Sequence, residues 1–166
     1  VNADYSCSAD APTSVAACIG DVADGEALDT ATAGDKSLEV TVTDNFGRVS
    51  TEVFNYTVAA KPTVNLTNPA EGSYFLQGQS ASASYSCNAD SATTISSCSG
   101  TVPDGDGFNT STLGSNSFSV TATDALGQTT TLTHNYTVVS NAPRAVLTMA
   151  APVDGDVYAL NQVVNA

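Results

Sequence analysis

Three kinds of residue in this sequence could do chemistry: cysteines, aspartates in Asp-Gly runs, and a lone histidine. The four cysteines form two pairs, Cys7 with Cys18 and Cys87 with Cys98, at one shared spacing. Zinc would want a tighter spacing or histidine partners. The pairs therefore predict two disulfides, each closing a loop of about a dozen residues, worth roughly 3 kcal/mol in the chain-entropy model. Disulfides in turn predict an exported protein, in an extracellular or cell-surface setting. Asp104-Gly105-Asp106-Gly107 and Asp154-Gly155-Asp156 could offer oxygens to Ca²⁺. Neither has the ligand run or closing glutamate of an EF-hand, and Asp-Gly is also common turn chemistry. Asp104, Asp106, Asp154 and Asp156 thus carry two readings, a calcium site and plain turns, and no other cofactor is expected. His134 aligns with Phe54 and reads as a packed strand residue. No serine or cysteine has a His/Asp partner in both halves of the chain, so no enzyme is expected.

The elements that must position these residues occur twice. Tyr5-Ser6-Cys7, Cys18-Ile19-Gly20, Thr41-Val42-Thr43-Asp44 and Asn55-Tyr56-Thr57-Val58 recur 80 residues later. The second set is Tyr85-Ser86-Cys87, Cys98-Ser99-Gly100, Thr121-Ala122-Thr123-Asp124 and Asn135-Tyr136-Thr137-Val138. That period is too long for a solenoid unit and suits a small domain in tandem.

Composition narrows the function classes. Lys and Arg total 4 against 17 Asp and Glu, a formal net charge of −13. Nucleic acid needs a basic footprint, and so does an anionic membrane surface; both are excluded as partners. Hydrophobic residues are 42% and tryptophan is absent, which predicts real but small, mostly aliphatic cores. No membrane-inserting segment or signal peptide is seen. The chain opens inside a repeat and so reads as a piece of something longer.

Taken in order, residues 1–7 alternate and predict a half-buried strand, matched by 81–87. The segment between the cysteines, residues 8–17, reads as a turn, with 15–19 starting the next strand. Leu28 and its counterpart Phe108 are expected to plug the core. Leu38, Val40 and Val42 point inward on one strand, and Phe54, Tyr56 and Val58 on its return. Asp44 and Asp124 begin the hairpin turns between them, with Gly47 and Gly127 supplying positive φ. Pro62 to Thr67 and Ser73 to Leu76 read as leading strands of the second repeat, without counterparts before the first. Residues 142–148 resemble 61–67, and 152–162 resemble 69–79. Val164-Asn165-Ala166 repeats Val1-Asn2-Ala3.

About seven short strands per repeat, with turns every 8 to 12 residues, argue an all-β fold of tandem immunoglobulin-like β-sandwiches. The ordered set Tyr-Ser-Cys, Cys-x-Gly, Thr-x-Thr-Asp-x-x-Gly and Asn-Tyr-Thr-Val resembles the bacterial immunoglobulin-like repeats of large secreted and surface proteins. The resemblance covers the whole chain. It implies adhesin rods, stalks, fibre units or spacers, with no catalysis. The boundaries read as 1–60, a domain lacking its first strands; 61–140, a complete domain; and 141–166, first strands of a following domain or completing strands for a neighbour. The expected function is a structural unit of an extracellular fibre, stalk or filament, with itself as partner. Units would be joined covalently, which the reading favours, or by donation of 143–166 through Pro143, Val146, Leu147, Val157, Tyr158, Leu160 and Val164. The rival is a calcium-dependent adhesin or glycan-binding accessory module. A cell-surface or glycan ligand would then be met through regions outside this chain.

Overall fold

The computed structural model describes residues 1–141 and 155–161. Among them are nine strands and no helix. The first repeat holds β1 (Val15–Gly20), β2 (Gly34–Asp44) and β3 (Val49–Val58). The second holds β4 (Thr63–Asn68), β5 (Tyr74–Leu76), β6 (Ser84–Asn88), β7 (Ile95–Gly100), β8 (Gly114–Asp124) and β9 (Thr129–Val139).

The second repeat is a sandwich of two sheets, one β4-β6 and the other β5-β9-β8-β7. Alternation builds it. On β8, Phe118, Val120 and Ala122 are buried, while Thr121 faces outward and shares a hydroxyl bond with Thr131 of β9 at 2.8 Å. Leu66 of β4, Phe75 of β5, Ala83, Phe108, and Tyr136 and Val138 of β9 complete the core. Phe108 meets Phe75 edge-on at 5.1 Å and Tyr136 at 5.2 Å, the geometry that ring quadrupoles favour. Phe75 is thus a cornerstone supplied by a strand of only three residues, paired in parallel with β9.

The turn joining β8 to β9 is shaped by its aspartate. Asp124 Oδ1 accepts the backbone N–H groups of Leu126 at 3.0 Å and Gln128 at 2.8 Å. Gly127, at φ 79°, takes the left-handed conformation that closes the turn. The first repeat builds the same turn on Asp44, which accepts from Phe46 and Arg48. Its β2-β3 ladder keeps the same register: Leu38 pairs Phe54 as Phe118 pairs His134.

Two expectations need correction. Residues 1–7 do not form a strand; they make one isolated bridge, Asn2 to Ala27. Their counterpart β6 is a strand because β4 pairs with it from Thr63 to Asn68, and the described residues offer the first repeat nothing equivalent. The second repeat also has six strands, not seven. Residues 103–112 hold only the bridge of Ser82 to Gly107, because side chains shape this stretch in place of a ladder: Asn109 Oδ1 accepts the Ser111 N–H at 3.0 Å.

Candidate functional site

The two repeats share a fold but not a cover. In the second, Leu66 and Phe75 lie over the apolar face of β8 and β9, and Tyr136 is only 3% exposed. In the first, the buried apolar set shrinks to Ala3, Leu38 and Val40. Phe54 is 49% exposed, and Tyr56 and Val58 are only half-buried. A cleft of about 400 Å³ opens there, lined among others by Ala3, Tyr5, Leu28, Leu38 and Phe54. A second of about 190 Å³ continues along Cys7, Val40, Val42 and Phe54. The apolar residues are placed by β2 and β3, and by a loop whose Leu28 N–H reaches the Val1 carbonyl at 3.0 Å. The face can take up an apolar side chain and an extended backbone.

The side chains around this face are held by local bonds that both repeats keep. Cys7–Cys18 and Cys87–Cys98 are disulfide-bonded, each with Cα atoms 5.9 Å apart. Beside each bridge a tyrosine ring lies flat on a glycine. Tyr5 Oη donates to the Val22 carbonyl at 3.2 Å and accepts the Gly20 N–H at 2.9 Å. Tyr85 does the same with Val102 and Gly100. A Cβ on Gly100 would sit 2.6 Å from the Tyr85 ring, so only glycine fits. Sequence reasoning missed this role, although the Tyr-x-Cys and Cys-x-Gly pairs at fixed spacing were its trace.

The Asp-Gly runs sit elsewhere. Asp104 Oδ1 accepts the Tyr85 backbone N–H at 2.8 Å, and Asp24 does the same for Tyr5 at 3.0 Å. The Asp106 carbonyl accepts the Ala83 N–H at 2.8 Å. Among the described residues no three acidic, His or Cys side chains converge as a metal cage. Asp156 accepts from the Tyr158 hydroxyl at 2.7 Å, which raises the pKa of that phenol. Asp154 lies outside the described residues, as do Pro143, Val146, Leu147 and Val164. Val157 and Leu160 are 95% and 93% exposed. His134 Nδ1 lies 2.9 Å from the Pro69 carbonyl, which ties β9 to the turn leading into β5.

Two charged contacts distinguish the first repeat. Lys36 Nζ lies 2.8 Å from Asp29 Oδ2 and, with the Ala31 N–H, holds that carboxyl down at about 2. The second repeat has the uncharged pair Asn109 and Asn116 in these places, 3.3 Å apart. At Asp44, burial pushes the carboxyl up, but bonds from Arg48 and the Phe46 N–H outweigh it and leave the group below its usual range. Gln128, where the first repeat has Arg48, reaches the Ala59 carbonyl at 3.2 Å and so seats the second repeat on the connecting segment.

No protein-family model and no curated protein matches the chain. Among solved structures it is similar to the fibronectin(III)-like modules of CbhA from Clostridium thermocellum, at 21% identity and a TM-score of 0.38. The match covers 66% of this chain and 65% of that one.

Proposed function

We propose that this chain is a structural unit of an extracellular fibre, stalk or surface filament, built from tandem immunoglobulin-like sandwiches with one disulfide each and without catalysis. The observation that carries the reading is repetition: β2-β3 and β8-β9 keep one register, and each repeat keeps its own disulfide and its own tyrosine seated on a glycine. The Gln128 bond to Ala59 and the burial of Pro62 support close end-to-end seating over a short connection. The two disulfides suit an oxidising, extracellular setting.

Electron microscopy of the native material, run beside a denaturing, reducing gel, tests the reading. Threads are expected. Their absence from material that contains the intact chain would overturn it.

A further inference from the structure

We propose that the Asp106–Gly107 step is a site of spontaneous covalent modification, where Asp106 isomerises to isoaspartate, and that the change loosens the Phe108 plug of the second core. The reaction needs only water and time, so it stands apart from the fibre reading. The Gly107 nitrogen attacks the side-chain Cγ of Asp106, and the nitrogen's proton leaves with the carboxyl hydroxyl as water. A cyclic succinimide results. Water then reopens the ring at either carbonyl. One opening gives back aspartate; the other routes the backbone through the side chain as isoaspartate. The water lost in the first step is regained in the second, so no atom is gained or lost overall.

Ring closure needs a carboxyl at liberty to turn and a glycine N–H that is not engaged elsewhere. The described residues include three Asp-Gly steps, and the fold separates them. Asp24 Oδ1 is held by the Tyr5 N–H at 3.0 Å, and the Gly25 N–H donates to the Ala3 carbonyl at 2.8 Å. Asp104 and Gly105 are held the same way, by the Tyr85 N–H at 2.8 Å and the Ala83 carbonyl at 2.9 Å. Asp106 and Gly107 escape both restraints. Their bridge to Ser82 runs through the Asp106 carbonyl, which accepts the Ala83 N–H at 2.8 Å, and through the Phe108 N–H, which donates to the Ala81 carbonyl at 3.3 Å. That pattern leaves the Gly107 N–H outside the bridge. Among the described residues neither it nor the Asp106 carboxyl has a hydrogen-bond partner, and both residues are exposed to the water that opens the ring.

The first repeat has Glu26-Ala27 at this place, with the matching bridge to Asn2. Glutamate would have to close a larger ring, and the alanine Cβ crowds the nitrogen, so that repeat is spared. In the second repeat, isomerisation turns the carbonyl that holds the Ala83 N–H into a free carboxylate. It also lengthens the chain leading to Phe108 by one carbon. Phe108 is buried and packs edge-on against Phe75 and Tyr136. A close-packed core feels a displacement of that size.

Ageing the oxidised 166-residue chain in warm neutral buffer tests the proposal, beside a sample reduced and unfolded in guanidinium. Electron-transfer fragmentation of digests reads each site, because it breaks the Cα–Cβ bond that isoaspartate puts into the backbone. In the folded chain isoaspartate is expected at Asp106 and not at Asp24 or Asp104; in the unfolded chain it is expected at all three. Gly107→Ala should lose most of the signal at Asp106 and still fold, since the added Cβ would meet nothing closer than the Ala81 carbonyl at 3.8 Å. After ageing, the second repeat of the wild-type chain should melt at a lower temperature than before, and that of Gly107→Ala should not. Equal isoaspartate at Asp104 and Asp106 in the folded chain overturns the proposal, as does none at Asp106 by the time the unfolded chain shows it. An aged chain that carries isoaspartate at Asp106 and melts as it did when fresh overturns it too.

Discussion

The first and second repeats are nearly one experiment with one variable changed. β2 and β3 match β8 and β9 residue for residue in register, both turns hang on an aspartate, and both tyrosines sit on a glycine. What differs is whether β4 and β5 are there. With them, Tyr136 is buried and its phenol is pushed up by burial. Without them, Tyr56 keeps the equivalent bond, Oη to the Asp29 carbonyl at 3.3 Å, but is only half-buried. Local hydrogen bonds and disulfides are thus properties of the repeat, whereas burial is a property of its cover.

The largest test of that contrast is cavity formation. Phe118→Ala should cost the second repeat about 3–5 kcal/mol, while Leu38→Ala at the matching site should cost about 2 kcal/mol, because the open face gives less burial to lose. Urea unfolding of each variant measures the difference, and equal losses would break the comparison. Next comes reduction. Each bridge is worth roughly 3 kcal/mol by loop closure, so both repeats lose alike, but the first has a core of only three buried apolar residues to fall back on. Under reductant its melting transition should come well before that of the second repeat, as calorimetry would show.

Gly100→Ala and Gly20→Ala should each cost about 1–3 kcal/mol, since a Cβ would meet the tyrosine and the Val102 or Val22 carbonyl. Similar losses in the two repeats would show that this contact is indifferent to the cover. The smallest effect is acid sensitivity. Asp29 has its folded pKa lowered from 3.8 to about 2, so its contribution is present above 3.8 and fades as pH falls towards 2. The second repeat, with Asn109 and Asn116 there, has no such slope. Asp29→Asn should shrink the difference between the repeats in melts taken across that window, leaving the part that Asp44, also held below its usual range, contributes; the exposed Asp29–Lys36 pair makes the effect small.

The alternating stretches made the all-β fold, the paired β2-β3 and β8-β9 hairpins, the two leading strands and the two disulfides legible without coordinates. Residues 1–7 misled because alternation reports which face is apolar, and a strand also needs a neighbour to bond. Phe54 misled for the same reason: the period points it inward, but inward is only a core where another sheet arrives. The role of Gly20 and Gly100 was hidden because the recurring Tyr-x-Cys and Cys-x-Gly spacing does not say that the tyrosine ring occupies the room a Cβ would need. The open face itself became visible only when the two repeats were seen side by side.

β5 and β9 run parallel, which bears on how the second repeat would carry tension. Besides the ladder itself, backbone bonds at either end of β5 tie it to β9: Gly72 N–H to Asn135 O, Thr137 N–H to Ser73 O, and Gln77 N–H to Val139 O. If the chain is pulled from both ends, parallel strands are drawn past each other and these bonds are loaded together in shear. An antiparallel hairpin pulled at its open end would part them one at a time. A three-residue strand would then set the yield force of the domain, and the segments between the bridged cysteines would be withheld from its extension.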